Sequence, residues 1–500
     1  MTTMEVQETA TNTPQRQGVL VAPRQRLARQ QLQMIDATAR DLLDNPGVLC
    51  HNLAAVELFR KAGARVDQAD GCARVRIPSR IVDEAIDTAP SRIVLGARKP
   101  ENRLVLDARE PRVRFGTGAE TNVWLDVQYD GDAPRFTREP GSIERLRQSA
   151  HLCDQLEHVD FFIRNVNIRD ATIDARNKDV NQFFNSLNHI SKHVQAGLTS
   201  LGALDDVIRM GQIVAGGADS FAREPVVSFI TCVIKSPLQF VDDTTEKLIE
   251  ISKRRVPVVI SSCPMGGATG PFDELGMVAQ INAELLAGIT LNQIAAPGAP
   301  VLYGAVPVRT RLDNLNDMYA AAEFVHYNVD CAQMARYYGL PCYSTAGVGD
   351  ASVPGIQATI EKMLTLANVP QAGAQYIHYA FGLLERTNVF CPEQAVLDDA
   401  QIDLVKRTLA RPAFEDSHRD DVLSLVREIM ATDHKTYMYH IPLPSRDRVY
   451  ARFPLEDEGG ALRAAHRRRR ELLNNPYDVL SPEIQQDIAR RVPNLLHNTK

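Results

Sequence analysis

The sequence predicts an α/β fold: a (β/α)8 TIM barrel with an N-terminal α+β extension and a C-terminal helical extension. Two observations predict it. Between about Val113 and Arg411, a β-branched or aromatic run is followed eight times by an amphipathic helical stretch. Strands alternating with helices imply parallel pairing through right-handed crossovers. Eight such units is also the number that closes a barrel, whose chemistry sits at the C-terminal ends of the strands.

The predicted strands are Val113–Phe115, Val159–Val166, His193–Ala196, Val226–Cys232, Pro257–Ser262, Pro300–Ala305, Pro341–Ser344 and Gln375–Ala380. The helices between and after them run approximately Ser142–Leu156, Asp174–Ile190, Leu201–Val214, Val241–Arg254, Leu275–Ala295, Asp317–Tyr338, Gly355–Leu366 and Pro392–Leu409. The barrel therefore spans 111–411. In the fifth helix Ala279, Ala283, Leu286, Ala287 and Thr290 make an apolar, small-residue face, which predicts close packing within the subunit or against a second copy.

Before the barrel, 24–110 reads as a small α+β unit that plugs or flanks its base. Helices are expected at Arg24–Leu43, Asn52–Ala62 and Pro78–Thr88. A hairpin is expected around Asp70-Gly71, and strands at Arg92–Leu95 and Leu104–Leu106. Residues 1–23 are polar and read as a flexible arm, or as one that orders on a partner subunit. After the barrel, 412–500 holds helices at His418–Met430, Gly460–Leu473 and Pro482–Arg491. The run His466-Arg467-Arg468-Arg469-Arg470 reads either as a basic patch or as a solvated helix face pairing with acids such as Glu456–Glu458.

Composition narrows the class. A net charge of −6 does not favour nucleic acid as a partner. No apolar run approaches the ~18 residues of a membrane span. The eight cysteines form no CxxC and no zinc spacing, and the start is not signal-like, which together predict a reduced, cytoplasmic protein without a metal site.

The residues after each strand are the candidates for chemistry. Glu120 lies in a glycine-rich loop after the first strand, where a carboxylate suits a cation better than a phosphate. Asn165 follows the second strand. Lys235 follows the fourth, either as a Schiff-base lysine or as the partner of a loop carboxylate. Gly266 and Gly267 shape a loop after the fifth that a ligand can approach closely. Gly347 and Asp350 follow the seventh. His378 is either an acid/base or a hydrogen-bonded core histidine. Tyr303, Tyr343, Tyr379 and Phe381 either box a quaternary ammonium by cation–π attraction or fill the upper layer of the barrel.

Several stretches together resemble the trimethylamine methyltransferase (MttB) superfamily over roughly Arg24 to Arg470. They are Phe115-Gly116-Thr117-Gly118, Ser236-Pro237-Leu238, Gly266-Gly267-Ala268-Thr269-Gly270-Pro271, Ala283-Glu284-Leu285-Leu286-Ala287-Gly288, Gln293, Pro297-Gly298-Ala299-Pro300, Gly349-Asp350 and Glu361-Lys362. The resemblance implies a (β/α)8 barrel that passes a methyl group from an amine to the Co(I) of a separate corrinoid-binding protein. No cofactor is then bound tightly by this chain itself. Trimethylamine-specific members carry pyrrolysine, placed by the resemblance near the Gly347–Asp350 loop, where this chain has only standard residues. The chain therefore resembles the pyrrolysine-free branch, which includes glycine betaine methyltransferases, and a quaternary, betaine-like amine is implied.

On that reading Glu120 and Asp350 balance the ammonium, and Tyr303, Tyr379 and Phe381 line the cation pocket. Asn165, Lys235 and His378 hold a polar tail, and Gly266, Gly267 and Gly347 shape the corrin approach. A homo-oligomer is expected from the long apolar helices and the N-terminal arm. Two other readings stand beside it: a lyase or aldolase using Lys235, and a non-catalytic amine- or corrinoid-binding paralogue.

Overall fold

The computed structural model describes residues 14–412, 414–438, 458–474 and 478–496. Its central element is a curled, nine-stranded and largely parallel sheet. Eight of its strands are β1 (Arg112–Phe115), β2 (Phe161–Ile163), β3 (His193–Ala196), β4 (Val227–Thr231), β5 (Val258–Ser262), β6 (Val301–Ala305), β7 (Cys342–Thr345) and β8 (Tyr376–His378). Each pairs in parallel with the next from β2 to β8, and β8 pairs in parallel with β1. A parallel bridge joins Gly116 to Phe161, and the Asp160 N–H donates to the Phe115 carbonyl at 2.7 Å. β5 and β6 are buried at every position, as strands covered on both faces must be.

The ninth strand, Val19–Leu20, runs antiparallel to β1. Residues 14–23 are thus tied down rather than free: Arg16 pairs with Asp160 at 3.0 Å, and Val21 bridges to Ala410. The remainder of the expected arm, 1–13, lies outside the described residues.

The helices that follow the strands are α1 (Ile143–Gln155), α2 (Lys178–His189), α3 (Leu204–Ala215), α4 (Asp242–Lys253), α5 (Glu274–Ala295), α6 (Ala322–Tyr338), α7 (Ile356–Asn368) and α8 (Pro392–Leu409). Beyond them lie α9 (Ser417–Ala431), α10 (Glu458–Leu473) and α11 (Pro482–Arg491). Local chemistry sets their ends. Ser142 caps α1 by accepting from the Arg145 N–H, and Asp273 caps α5 by accepting from the Gly276 N–H. α3 and α6 stop at glycines in the left-handed region, Gly216 and Gly339.

The long helix α5 is buried from Met277 to Gln293. On its inner side a Cβ at Gly288 would meet Ile260 Cγ2 at 2.6 Å, so only glycine lets helix and β5 approach this closely. On its outer side it packs against the chain's own helices Arg29–Asp44, Leu53–Lys61 and Ser79–Thr88. The face that the sequence offered to a second copy is therefore covered within the subunit.

The N-terminal unit also reaches inside the curl. Strands Arg92–Leu95 and Leu104–Asp107 pair antiparallel. Their Ile93, Leu95, Leu104 and Leu106 pack with Phe161, Val259, Leu302, Tyr343 and Tyr376 in one apolar cluster. That cluster packs the inside of the curl.

Several short strands lie outside the expected elements. Val123–Asp130 and Ala133–Pro140 form a hairpin between β1 and α1. Met265–Gly266, Val308–Thr310 and Asp317–Met318 form a three-stranded sheet from the loops after β5 and β6. Asp317 was expected to begin α6, which instead starts at Ala322.

Candidate active site

The side chains that face the lumen above the plug form a column of rings. Phe161 stacks on Tyr376 with centroids 3.5 Å apart, and Tyr376 stacks on Tyr343 at 5.9 Å. Tyr343 meets His378 at 4.0 Å, His378 meets Tyr379 at 3.8 Å, and Tyr379 meets Tyr319 edge-on at 6.3 Å. Alternation along β7 and β8 explains the order: Tyr343 with Thr345, and Tyr376 with His378, share the inward face. Tyr379 adds to it by taking a positive φ of 67°.

His378 is fully buried, and both ring nitrogens are engaged, Nδ1 with the Tyr343 hydroxyl at 2.5 Å and Nε2 with the Thr345 hydroxyl at 2.6 Å. Burial holds its pKa well below the ordinary histidine value, so it is neutral at pH 7. It braces Tyr343 and has no free nitrogen to offer a substrate. Burial likewise raises the Tyr343, Tyr379 and Tyr319 phenols, which stay protonated.

Cys232 and Cys263, just past β4 and β5, stand beside Tyr379. Both are exposed, yet burial raises the Cys232 thiol and pushes Cys263 up to about 12. Their chain neighbours Thr231, Val233, Ser262 and Pro264 are buried, and thiols so raised are neutral, soft walls of this recess rather than nucleophiles.

Carboxylates collar this recess. Asp317 acts electrostatically on Cys263, Tyr319 and Tyr379, and pairs with Arg386 at 3.3 Å. Asp350 accepts from the Tyr319 N–H at 3.1 Å and the Ala320 N–H at 3.3 Å, so it braces the Tyr319 loop. Burial raises the Asp350 carboxyl, and its neighbours Glu361 and Asp317 raise it further. Glu120 is paired with the buried Arg164 guanidinium.

The other expected site residues lie elsewhere. Tyr303 points away from the lumen and donates to Asn282 Oδ1 on α5 at 2.9 Å. Phe381 belongs to the outer core between sheet and helices. Asn165 turns toward α1, where its Oδ1 accepts from the Ser149 hydroxyl at 2.8 Å. Lys235 is exposed on a two-residue strand opposite Gln239. A Schiff-base lysine is activated by a desolvated pocket, which an exposed ammonium lacks. Among the described residues no group of three or more His, Cys, Asp or Glu side chains can hold a metal ion. No described helix is long and apolar enough to cross a membrane.

The sequence motifs converge as scaffolding around the recess. Glu284 on α5 is fully buried and accepts from the Ser236 hydroxyl at 2.8 Å, the Leu238 N–H at 3.1 Å, Gln280 Nε2 at 3.0 Å and the Ser262 hydroxyl. One side chain thus pins the loops after β4 and β5. Gln293 accepts from the Gly298 N–H at 2.8 Å and donates to the Ala299 carbonyl at 2.9 Å, shaping the entry to β6. Glu361 accepts from the Asp350 and Ala351 N–H groups, and Lys362 donates to the Gly347 and Leu383 carbonyls. Gly347 itself has a φ of +85°, and a Cβ there would meet Ala380 Cα at 2.7 Å.

Residues 3–438 match the family model for trimethylamine methyltransferase (MTTB). The chain belongs to that family. A trimethylamine methyltransferase from Methanosarcina thermophila is 31% identical over 387 residues, 76% of this chain and 77% of the relative. One from Desulfitobacterium hafniense is 30% identical over 384 residues, 76% of this chain and 74% of its own length. A glycine betaine methyltransferase from D. hafniense is 25% identical over 486 residues, 93% of this chain and 96% of its own.

Proposed function

We propose that this chain is a methyltransferase that moves a methyl group from a methylated or quaternary, betaine-like ammonium to the Co(I) of a corrinoid carried by a separate protein. The observation that supports the donor is the set of rings and carboxylates gathered at the strand ends. There the half-buried Tyr379 stands beside Tyr319, Cys232, Cys263 and Asp317, and Asp350 holds the Tyr319 backbone. Ring faces and carboxylates attract an ammonium that cannot donate a hydrogen bond. The trimethylamine and glycine betaine relatives agree with an amine donor, and the latter aligns over more of this chain.

The chemistry asks little of the chain in acid–base terms. The C–N bond breaks with its electron pair staying on nitrogen, which leaves as a neutral amine. The corrinoid, when docked, supplies the nucleophilic electron pair that takes the methyl. The chain's residues hold the ammonium, aim one methyl outward and exclude water. Neutral His378, protonated tyrosines and neutral thiols fit that task, because none competes as a nucleophile. The rim fits a docking protein. Phe272, Leu312, Leu315 and Val353 are exposed on the loops after β5, β6 and β7, and Ile356 is exposed at the start of α7. Gly267 puts no side chain in the way between Phe272 and Leu312. In this reading the eight parallel strands close as a (β/α)8 barrel over 111–411. The unit 24–110 plugs its base, and α10 and α11 pack on its flank against α8, α1 and α3.

A thermal-shift panel of glycine betaine, other betaines, carnitine and choline tests the donor site. At least one quaternary amine raises the melting temperature of the wild-type protein. No shift with any of them sinks the proposal.

A further inference from the structure

We propose that a groove on the flank of the barrel, remote from the recess, binds a pyrophosphate-bearing anion of nucleotide size. The groove is a cavity of about 880 Å3 between α1, α2, α10 and the hairpin Val123–Asp130/Ala133–Pro140. Small-molecule sites occupy roughly 300–1,000 Å3.

Five guanidinium groups border it: Arg147 from α1, and Arg463, Arg467, Arg469 and Arg470 from α10. Helical spacing explains the convergence. Arg463, Arg467 and Arg470 fall at i, i+4 and i+7, on one face of α10. The other face is anchored by Leu462, Ala465 and Leu472, all buried, with α10 packing on α8 and α1. The arginine face is therefore fixed toward the groove. The sequence offered Glu456–Glu458 as partners for this run. Glu456 and Asp457 lie outside the described residues, and the partners in place are on the barrel.

Those partners do not neutralise the groove. Arg469 pairs with Asp126 at 2.8 Å and with the buried Glu393 at 2.9 Å, which absorbs its charge. Arg463 lies over the Tyr129 ring at 4.8 Å and pairs with the fully exposed Asp132. Arg147 donates to Asn185 Oδ1 at 2.7 Å and sits 4.0 Å from Glu144. Arg467 and Arg470 are exposed and have no carboxylate partner among the described residues. Like charges at i, i+4 on a helix repel by a few tenths of a kcal/mol, so this face gains from an anion between its arginines. Guanidinium forks match phosphate oxygens bidentately, and two or more forks favour a ligand with two or more phosphates. None of the recess residues borders the groove, so this site stands independently of the methyl-transfer reading.

Titration calorimetry on the full chain tests it, with sodium pyrophosphate, ADP and sodium sulfate at matched ionic strength. Pyrophosphate and ADP bind at a single site, at least about tenfold tighter than sulfate. Tighter ADP assigns the nucleoside a share of the contacts; equal affinities assign the phosphates all of it. The double variant R467E/R470E, and the milder R467Q/R470Q, weaken binding about tenfold or more and leave methyl transfer unchanged. Three results overturn the proposal: sulfate binding as tightly as pyrophosphate, both variants binding like wild type, or a single-stranded oligonucleotide binding more tightly than either phosphate ligand.

Discussion

Replacing Lys362 with Met removes three contacts of one ammonium that holds the upper end of the lumen in shape. Lys362 is fully buried, its Nζ lies 3.2 Å from Asp398 Oδ2, and it donates to the Leu383 carbonyl at 3.0 Å and to the Gly347 carbonyl. Gly347 follows β7 and Leu383 follows β8, so the lysine ties together the loops flanking Tyr343 and Tyr379. In Lys362→Met, Asp398 remains fully buried with only the Gly382 N–H and Gln394 Nε2 as donors. Breaking a buried pair from one side costs about 3–5 kcal/mol. Burial already raises the Asp398 carboxyl to about 6, with Lys362 opposing the shift. Without the lysine it rises further and the folded protein takes up a proton at neutral pH. A carboxyl raised in the folded state destabilises above its folded pKa and recovers as pH falls through it. Urea unfolding at pH 8 and pH 5.5 reads both effects. The expectation is a loss of about 3–5 kcal/mol at pH 8, partly regained at pH 5.5. The double variant Lys362→Met/Asp398→Leu returns most of the loss, because both charges leave together. A loss below about 1 kcal/mol at pH 8, or no recovery on acidification, refutes the reasoning.

Three further outcomes follow from the same geometry. Tyr303→Phe strands the buried Asn282 Oδ1 and costs about 1–3 kcal/mol in unfolding experiments, while leaving amine affinity at the wild-type value; weakened amine binding would return Tyr303 to the recess. Glu284→Gln turns an acceptor of four hydrogen bonds into a partial donor, and is expected to cost about 2–3 kcal/mol and to lower methyl transfer through displaced loops after β4 and β5; unchanged stability would remove Glu284 as the hub. Burial lowers the His193 pKa to about 4, so the folded state refuses a proton that the unfolded chain accepts near 6.5. Its contribution is present above 6.5 and is lost, by roughly 3 kcal/mol, as pH falls toward 4; His193→Gln should flatten the dependence of melting temperature on pH across that window, and an unchanged slope would contradict the assignment.

Much of the fold was legible because parallel strands covered on both faces read as short apolar runs, and the helices between them carry clear periodicity. The hairpin after β1 was equally legible in retrospect. Val123–Asp130 alternates, and Asp130-Gly131 is a turn signal of the same kind that located Asp70-Gly71. A (β/α)8 pattern by itself calls only for a connection there. The site was legible by address but not by direction. Strand-end position does not say which face a side chain takes. Tyr303 and Tyr343 both sit on strands, yet one faces α5 and the other the lumen. Asp317 escaped because it sits on a short strand of a sheet built from two separate loops, a pairing invisible to local periodicity. Glu284 was recognised as part of a motif, but its role depends on contacts 22 and 48 residues away.

The central claim is that a quaternary ammonium rests against Tyr379 at the strand ends while its methyl is taken. The direct measurement is the rate of corrinoid methylation, followed by absorbance, with Co(I) corrinoid and each amine of the panel, for wild type and Tyr379→Ala. A desolvated cation–π contact is worth about 2 kcal/mol, or roughly thirtyfold. The account predicts methyl transfer from at least one quaternary amine and a loss of that order in Tyr379→Ala. Transfer from no amine, or an equal rate in Tyr379→Ala, would contradict it.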